Sequence, residues 1–290
     1  MTIEKNKTKR LAQRAVFDVV VLGGGAAGLF AAFTAAQRGR RVLVLERANK
    51  IGKKILMSGG GRCNFTNMYI EPENFISENP HFAKSALSRY TQWDFIEMVA
   101  NYGIAYHEKT LGQLFCDGSA KEIIAMLRSE MDKVGVDLWL ETSLDELRHE
   151  DEFHVQVTRD DRYHFLRATN FVVACGGYSI PKMGATGLGY EIADYFGLPQ
   201  VATRPALVPL TFGGELLEEL ATMSGTALDA RMSFENTSFD EAILFTHRGM
   251  SGPAVLQISS YWRRGEPVSA NLMPHRNALD WLREKRSGAG

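Results

Sequence analysis

Cysteine is scarce in this 290-residue chain: Cys63, Cys116 and Cys175 stand far apart, and no Cys-x-x-Cys occurs. A disulfide framework and a zinc knuckle are thereby excluded, and a reducing cytoplasm is the compartment that fits. Charge of one sign is lacking too, with 33 Lys and Arg against 34 Asp and Glu. No overall field draws the molecule to nucleic acid or to an anionic membrane, so any such contact has to come from a local patch. No Gly-x-x-x-x-Gly-Lys-[Ser/Thr] segment is present, which removes the P-loop route to nucleotide hydrolysis. Ser179-Ile180-Pro181-Lys182 has the Ser-x-x-Lys form, but the companion motifs of that hydrolase group are missing. His247 and His275 lack metal-ligand spacing, and no metal is expected. There is no internal repeat and no low-complexity block.

A long uninterrupted apolar run is also missing, although one stretch imitates it. No charged residue occurs from Val19 to Gln37, and Lys5, Lys7, Lys9, Arg10 and Arg14 precede it. Asp18 at its head and Gly23-Gly24-Gly25 in its middle argue against a signal sequence or a membrane span. The polar segment 1–14 reads as a flexible basic arm, either solvated or in contact with an anionic partner.

What is there is an alternation of strand and helix patterns. Residues 17–22 form a short Val-rich run typical of a buried parallel strand. Residues 26–38 are rich in Ala and Leu and predict a helix that Gly39 ends. Residues 41–46 predict the next strand, completing a βαβ unit in about thirty residues. A Gly-rich loop over 57–67 follows. Helices are expected over 84–102, 119–134 and 187–196. Strands are expected over 136–140, 153–158, 163–166 and 170–175, with a hairpin at Asp160-Asp161. Trp93, Trp139 and Trp262 read as packing residues rather than base-stacking platforms.

The pattern changes after Gly197. Three prolines fall within residues 198–210, and short strand-like segments follow at 227–234, 241–245 and 268–272. A helix begins at 279–284. The expected organisation is an arm over 1–14, a dinucleotide-binding domain over 15–196, a β-rich substrate domain over 197–274, and the start of a helical segment over 275–290. The class is α/β.

Gly23-x-Gly25-x-x-Gly28 has the context that gives such a motif meaning: a strand before it, a helix after it and an acid at the end of the second strand. Gly23 permits the tight turn. Gly25 lets backbone N–H groups approach a pyrophosphate at the helix N-terminus, and the Ala26 and Ala27 that follow it match the same fingerprint. Gly28 lets helix and strand pack closely. Glu46 lies where a carboxylate can accept bonds from ribose hydroxyls, and Arg47 beside it joins the binding set. A second segment, Ser58-Gly59-Gly60-Gly61-Arg62-Cys63-Asn64, selects FAD over NAD as the resident cofactor. Three consecutive glycines cost backbone entropy, and they let main chain lie against a long ligand whose phosphates Arg62 can offset. Gly176 and Gly177, at the end of the 170–175 strand, let the sheet edge pass close to the same ligand.

These residues resemble a known family. VVVLGGGAAGLFAAFTAAQRGRRVLVLE is similar to the flavoprotein fingerprint. KKILMSGGGRCNFTN, HEKTLGQLFCDGSA, RPALVPL and LFTHRGMSGPAVLQISSYW resemble the YhiN-type flavoproteins, the BaiN/RdsA family, over roughly residues 16–275. The resemblance implies a Rossmann-like FAD-binding domain made from discontinuous segments, an inserted β-rich domain and a small helical domain. It also implies an oxidoreductase. One branch of the family is similar to aminoacetone oxidase, and another is linked to bile-acid reduction. The branch this chain resembles makes dihydrouridine in large-subunit ribosomal RNA with NADH or NADPH as donor.

On that basis Thr246, His247 and Ser251 are expected to face flavin or substrate. Cys63 and His247 are the candidate proton donors, Cys63 being equally a small residue packed beside FAD. The partner would be ribosomal RNA, with the arm and Arg263-Arg264 as candidate contacts, or else a small-molecule substrate. The family's C-terminal return to the FAD domain has no match here, so the chain reads as truncated before it. A small-molecule flavin oxidase or reductase and a non-catalytic flavin-binding fragment are the alternatives.

Overall fold

The computed structural model describes residues 14–287. Two compact units divide the chain, one running up to Gln200 and one from Val201 onward. The first grows from the strand–helix–strand of the fingerprint. β1 (Arg14–Leu22) and β2 (Val42–Leu45) are parallel neighbours, with Val19 opposite Val42 and Leu22 opposite Leu45. Every residue of β2 is buried, as expected for a parallel strand covered on both faces. Between them α1 (Ala26–Gln37) buries Leu29, Ala32, Phe33 and Ala36. Gly39 closes this helix with φ +77° and donates its N–H to the Ala36 carbonyl, a geometry that favours glycine.

α2 (Lys53–Met57), a 3₁₀ turn over Ser58–Gly61 and β3 (Asn64–Asn67) come next. α3 (Lys84–Arg89) and α4 (Gln92–Asn101) precede the short strands β4 (Tyr106–Glu108) and β5 (Gln113–Cys116). β3, β5 and β4 make a separate three-stranded antiparallel sheet. α5 (Ala120–Lys133) starts on a capping box in which Ser119 and Glu122 satisfy each other's backbone N–H. β6 (Asp137–Trp139) pairs with β2 in parallel. A meander of β7 (Ser143–His149), β8 (Phe153–Arg159) and β9 (Arg162–Val173) then brings the chain back beside β1, and α6 (Leu188–Tyr195) follows.

The main sheet runs β6-β2-β1-β9-β8-β7, parallel from β6 to β9 and antiparallel beyond. Alternation along its central strands divides two cores. Val21 and Val44 join Leu29, Met126 and Leu127 on one face, while Val20, Leu43 and Leu45 join Val155 and Leu166 on the other. The head of α1 and the carboxyl ends of β1 and β2 therefore meet at one edge, where such sheets bind ligands.

The second unit contains β10 (Leu210–Thr211), α7 (Gly214–Thr222), β11 (Ala227–Phe234), β12 (Thr237–Thr246), β13 (Gly249–Ser251), α8 (Pro253–Ser259), β14 (Ser269–Asn271) and α9 (Ala278–Ser287). Its strands form an antiparallel sheet in the order β10-β13-β12-β11-β14. α8 buries Ala254, Val255 and Ile258 against Met232, Ile243 and Phe245 of that sheet.

Several elements differ from the sequence expectation. The helix expected over 84–102 is two helices. Thr91 accepts from the Asp94 N–H and Asp94 accepts from the Thr91 N–H, so a fresh N-terminus interrupts the apolar periodicity. The strands expected at 163–166 and 170–175 are one continuous strand, β9. The loop expected over 57–67 ends in β3. β4 and β5 escape periodicity because they are only three and four residues long, and β7 because most of its residues are polar. Trp93 is 56% exposed, not packed. The Asp160-Asp161 hairpin is present, with φ of +49° and +55°, as a type I′ turn needs. The arm over 1–14 lies outside the described residues except for Arg14, whose backbone opens β1. Among the described residues no helix is long and apolar enough to cross a membrane.

Candidate functional site

A cleft of about 540 Å³ opens at the head of α1. Its walls come from residues 23–27, 46–48, 50, 52–55, 174–176 and 183–185. The fingerprint glycines shape it in two ways. Gly23 has φ +115°, and a Cβ there would overlap the carbonyl of Ala174, which follows β9. A Cβ on Gly28 would overlap the Gly23 carbonyl oxygen. Both are glycine because backbone meets backbone. Gly25 has an ordinary φ of −85° and nothing within 4 Å of where its Cβ would stand. It faces open space, which is the property a close ligand requires.

α1 begins with no side-chain cap and no acidic residue in its first turn. Its leading N–H groups and the positive end of its dipole are thus free for an anion. Arg47, Lys50, Lys53 and Lys54 add cationic side chains to the walls. Lys54 donates from Nζ to Ser179 Oγ at 3.0 Å. That contact ties the serine of the Ser-x-x-Lys segment to a cationic side chain of the cleft wall.

Glu46 follows the last residue of β2. Its Oε2 accepts from the Gly24 N–H and its Oε1 from the Ala48 N–H, both at 2.7 Å. The carboxylate therefore pins the glycine turn to the end of its own strand. A carboxylate has about four acceptor positions, so capacity remains for two hydroxyl donors from a ribose. The residues fit an adenosine dinucleotide: open N–H groups for pyrophosphate, cations around it, and an oriented acid for a sugar.

The second glycine segment lies beyond α2. Gly59, Gly60 and Gly61 have φ of +57°, +66° and +90°. A Cβ on Gly59 would stand 2.7 Å from the Phe115 ring, whereas nothing lies within 4 Å at Gly60. Cys63, also left-handed at φ +54°, donates its N–H to the Ser58 carbonyl. Its side chain is 5% exposed and belongs to the core that also holds Cys116. Burial pushes the Cys63 thiol up, partly opposed by a hydrogen bond with Ser58. Cys116 is pushed up to about 11, by burial first and then by Cys63 and Glu122. Arg62 and Asn64 are exposed.

The structure thus brings Gly23, Gly25, Ala26, Ala27, Glu46, Arg47 and Gly176 around one cleft and puts Gly28 behind it. Ser58 to Asn64 are not in its walls. Gly177 packs near the hydroxyl of Tyr190, whose ring stacks on Tyr178. Thr246, His247 and Ser251 belong to the second unit. Thr246 donates from Oγ1 to the Gly249 carbonyl and accepts from the Arg248 N–H, leaving His247 exposed at the tip of the β12–β13 hairpin. Sequence reasoning missed Gly24, Lys50, Lys53, Lys54 and residues 183–185 as wall residues. The lysines were legible as a basic cluster beside the fingerprint; residues 183–185 carry no local signal.

A buried parallel sheet, a glycine turn at a helix head and a strand-end acid define a Rossmann-type dinucleotide-binding protein. The chain belongs to the HI0933-like family. Residues 17–231 match the HI0933-like protein Rossmann domain, and residues 204–289 match the HI0933-like protein barrel and H2TH domain. It is 51% identical over 273 residues to a protein of Escherichia coli (strain K12) named ribosomal RNA dihydrouridine synthase, covering 93% of this chain and 67% of that one. A protein of the same name from Haemophilus influenzae is 44% identical over 279 residues, covering 93% and 68%. A 3-dehydro-bile acid delta(4,6)-reductase of Clostridium scindens is 28% identical over 250 residues, covering 84% and 60%.

Proposed function

We propose that the chain is an FAD-dependent oxidoreductase that uses NADH or NADPH to reduce uridine to dihydrouridine in ribosomal RNA. The observation that carries the substrate is the 51% identity, over 93% of the chain, to the Escherichia coli protein named for that reaction. The cleft supports the cofactor. Glu46 would take the ribose hydroxyls, the first-turn N–H groups of Ala26 and Ala27 the pyrophosphate, and Lys54 the neighbouring negative charge. The segment from Ser58 to Asn64 supports FAD rather than a nicotinamide as the resident group, since it extends the glycine surface beyond the adenosine end.

Bound FAD would supply hydride transfer. The protein's own residues bind, orient and protonate. A uridine in folded RNA has to be unstacked first, which costs a few kcal/mol, and exposed cations such as Arg263 and Arg264 would offset part of it. The place of action would be the cytoplasm. Cys63, closed inside the core, suits the packing role better than proton donation.

The test is direct. The purified chain should bind FAD and turn yellow, and NADH or NADPH should bleach it without oxygen. Ribosomal RNA from a strain lacking the gene should then gain dihydrouridine when incubated with the reduced protein. A flavin-loaded protein that is bleached yet leaves the RNA unchanged would rule out the substrate.

A further inference from the structure

We propose that His107, oriented by Asp117, is the proton donor of this reduction. The assignment rests on the reaction proposed above and names the acid it needs. β4, β5 and β3 place the residues. His107 is opposite Phe115, and Phe115 is opposite Asn64, so the three side chains share one face of the small sheet. Phe115 is buried against Gly59 of the second glycine turn. The His107 ring lies nearly parallel to the Phe115 ring, with centroids 6.3 Å apart and planes at 19°. The Phe115 ring thereby links the imidazole to the second glycine turn, which the proposed reading gives to the flavin.

Asp117 Oδ1 is 2.6 Å from His107 Nδ1. The Asp117 N–H donates to the Ala105 carbonyl at 2.9 Å, which holds the acid in the extended β4–β5 ladder. A carboxylate on Nδ1 sets the tautomer and turns Nε2 outward, the arrangement that lets a histidine deliver or take a proton. The side chains of His107 and Asp117 are 43% and 49% exposed, so a large substrate can reach them. Cys63 is closed in the core. β4 buries none of its three residues. Other charged groups on this hairpin are Lys109, whose Nζ is 5.2 Å from the Phe115 centroid, and Glu108, which accepts from the Gly112 N–H.

In the step, hydride arrives at one carbon of the C5=C6 bond of uracil. The displaced electron pair forms a C–H bond at the other carbon with the proton from Nε2. The imidazolium becomes neutral imidazole and regains a proton from water. The two electrons come from NADH or NADPH.

The experiment uses the full chain loaded with FAD, in wild-type, His107→Gln and Asp117→Asn forms. Flavin content and nicotinamide-driven bleaching report that each is folded and loaded. On ribosomal RNA lacking dihydrouridine, His107→Gln should lose about 100-fold in product formation and Asp117→Asn about tenfold. The wild-type rate should fall toward alkaline pH, and that fall should vanish in His107→Gln. Product formation at the wild-type rate in His107→Gln, or an alkaline fall that persists in it, would overturn the assignment. A wild type that is bleached by the nicotinamide yet makes no dihydrouridine overturns the proposed substrate and, with it, the donor assigned to that reaction.

Discussion

At Gly23 and Gly28 a side chain has no room, because backbone carbonyls occupy the space where a Cβ would be. At Gly60 there is room in every direction, and it is the left-handed backbone, φ +66°, that favours glycine. Gly25 is a third case, with neither crowding nor a positive φ. The same residue thus serves packing at Gly23 and Gly28 and chain direction at Gly60, and it leaves open space at Gly25. The two segments also differ in how they are anchored. The first is held by hydrogen bonds to Glu46 at a sheet end, and the second by a thiol, Cys63, sunk into the core beside Cys116.

The sharpest way to break this comparison is Gly28→Ala. Its methyl group would overlap the Gly23 carbonyl, so α1 has to move off β1. A loss of about 3 kcal/mol is expected in urea unfolding; wild-type stability would show that the helix can slide without cost. Glu46→Ala comes next. It strips the Gly24 and Ala48 N–H groups of their acceptor, for about 1–3 kcal/mol of stability, and should weaken FAD binding about tenfold or more by titration of the visible band.

The thiol anchor has a pH signature of similar size. Cys116 is pushed up to about 11 from a usual 9.0. The folded chain keeps that proton where the unfolded chain has lost it. Its contribution is present below pH 9 and is lost as pH rises toward 11, on the order of 2 kcal/mol. Urea midpoints across that window should fall less steeply in Cys116→Ala than in wild type. An equal slope would place the alkaline loss elsewhere.

Gly60→Ala should cost about 1–2 kcal/mol through its backbone alone. Gly25→Ala should change stability by under about 0.5 kcal/mol yet reduce FAD affinity. If Gly25→Ala binds FAD as the wild type does, the open space at Gly25 is not where the cofactor approaches.

Much of the first unit was legible before folding. The βαβ unit rests on covalently local signals: a Val-rich run, glycines at fixed spacing, an Ala-rich helix and an acid at the second strand end. The capping box at Ser119–Glu122 and the type I′ turn at Asp160-Asp161 are equally local. The failures have a common origin. The Thr91–Asp94 box looks like the polar side of one amphipathic helix until the hydrogen bonds are seen. β9 looks like two strands because its partners change along it: residues 162–168 pair with β8, and residues 165–173 lie along β1. The lysines at 50, 53 and 54 look like a solvated charge run until the sheet edge and residues 183–185 close around them.

The sequence by itself determined the glycine turn at Gly23–Gly28 and the acid Glu46 beside it, since strand, turn, helix and acid fall within one short stretch of chain whose geometry is nearly covalent. Tertiary structure decided what surrounds it. Only strand register sets His107 against Phe115 and Asp117 and brings Phe115 onto Gly59. Only packing takes Cys63 out of solvent. Only the sheet joins Lys54 to Ser179, 125 positions away along the chain. Contacts of that kind depend on register and burial, which no residue carries alone.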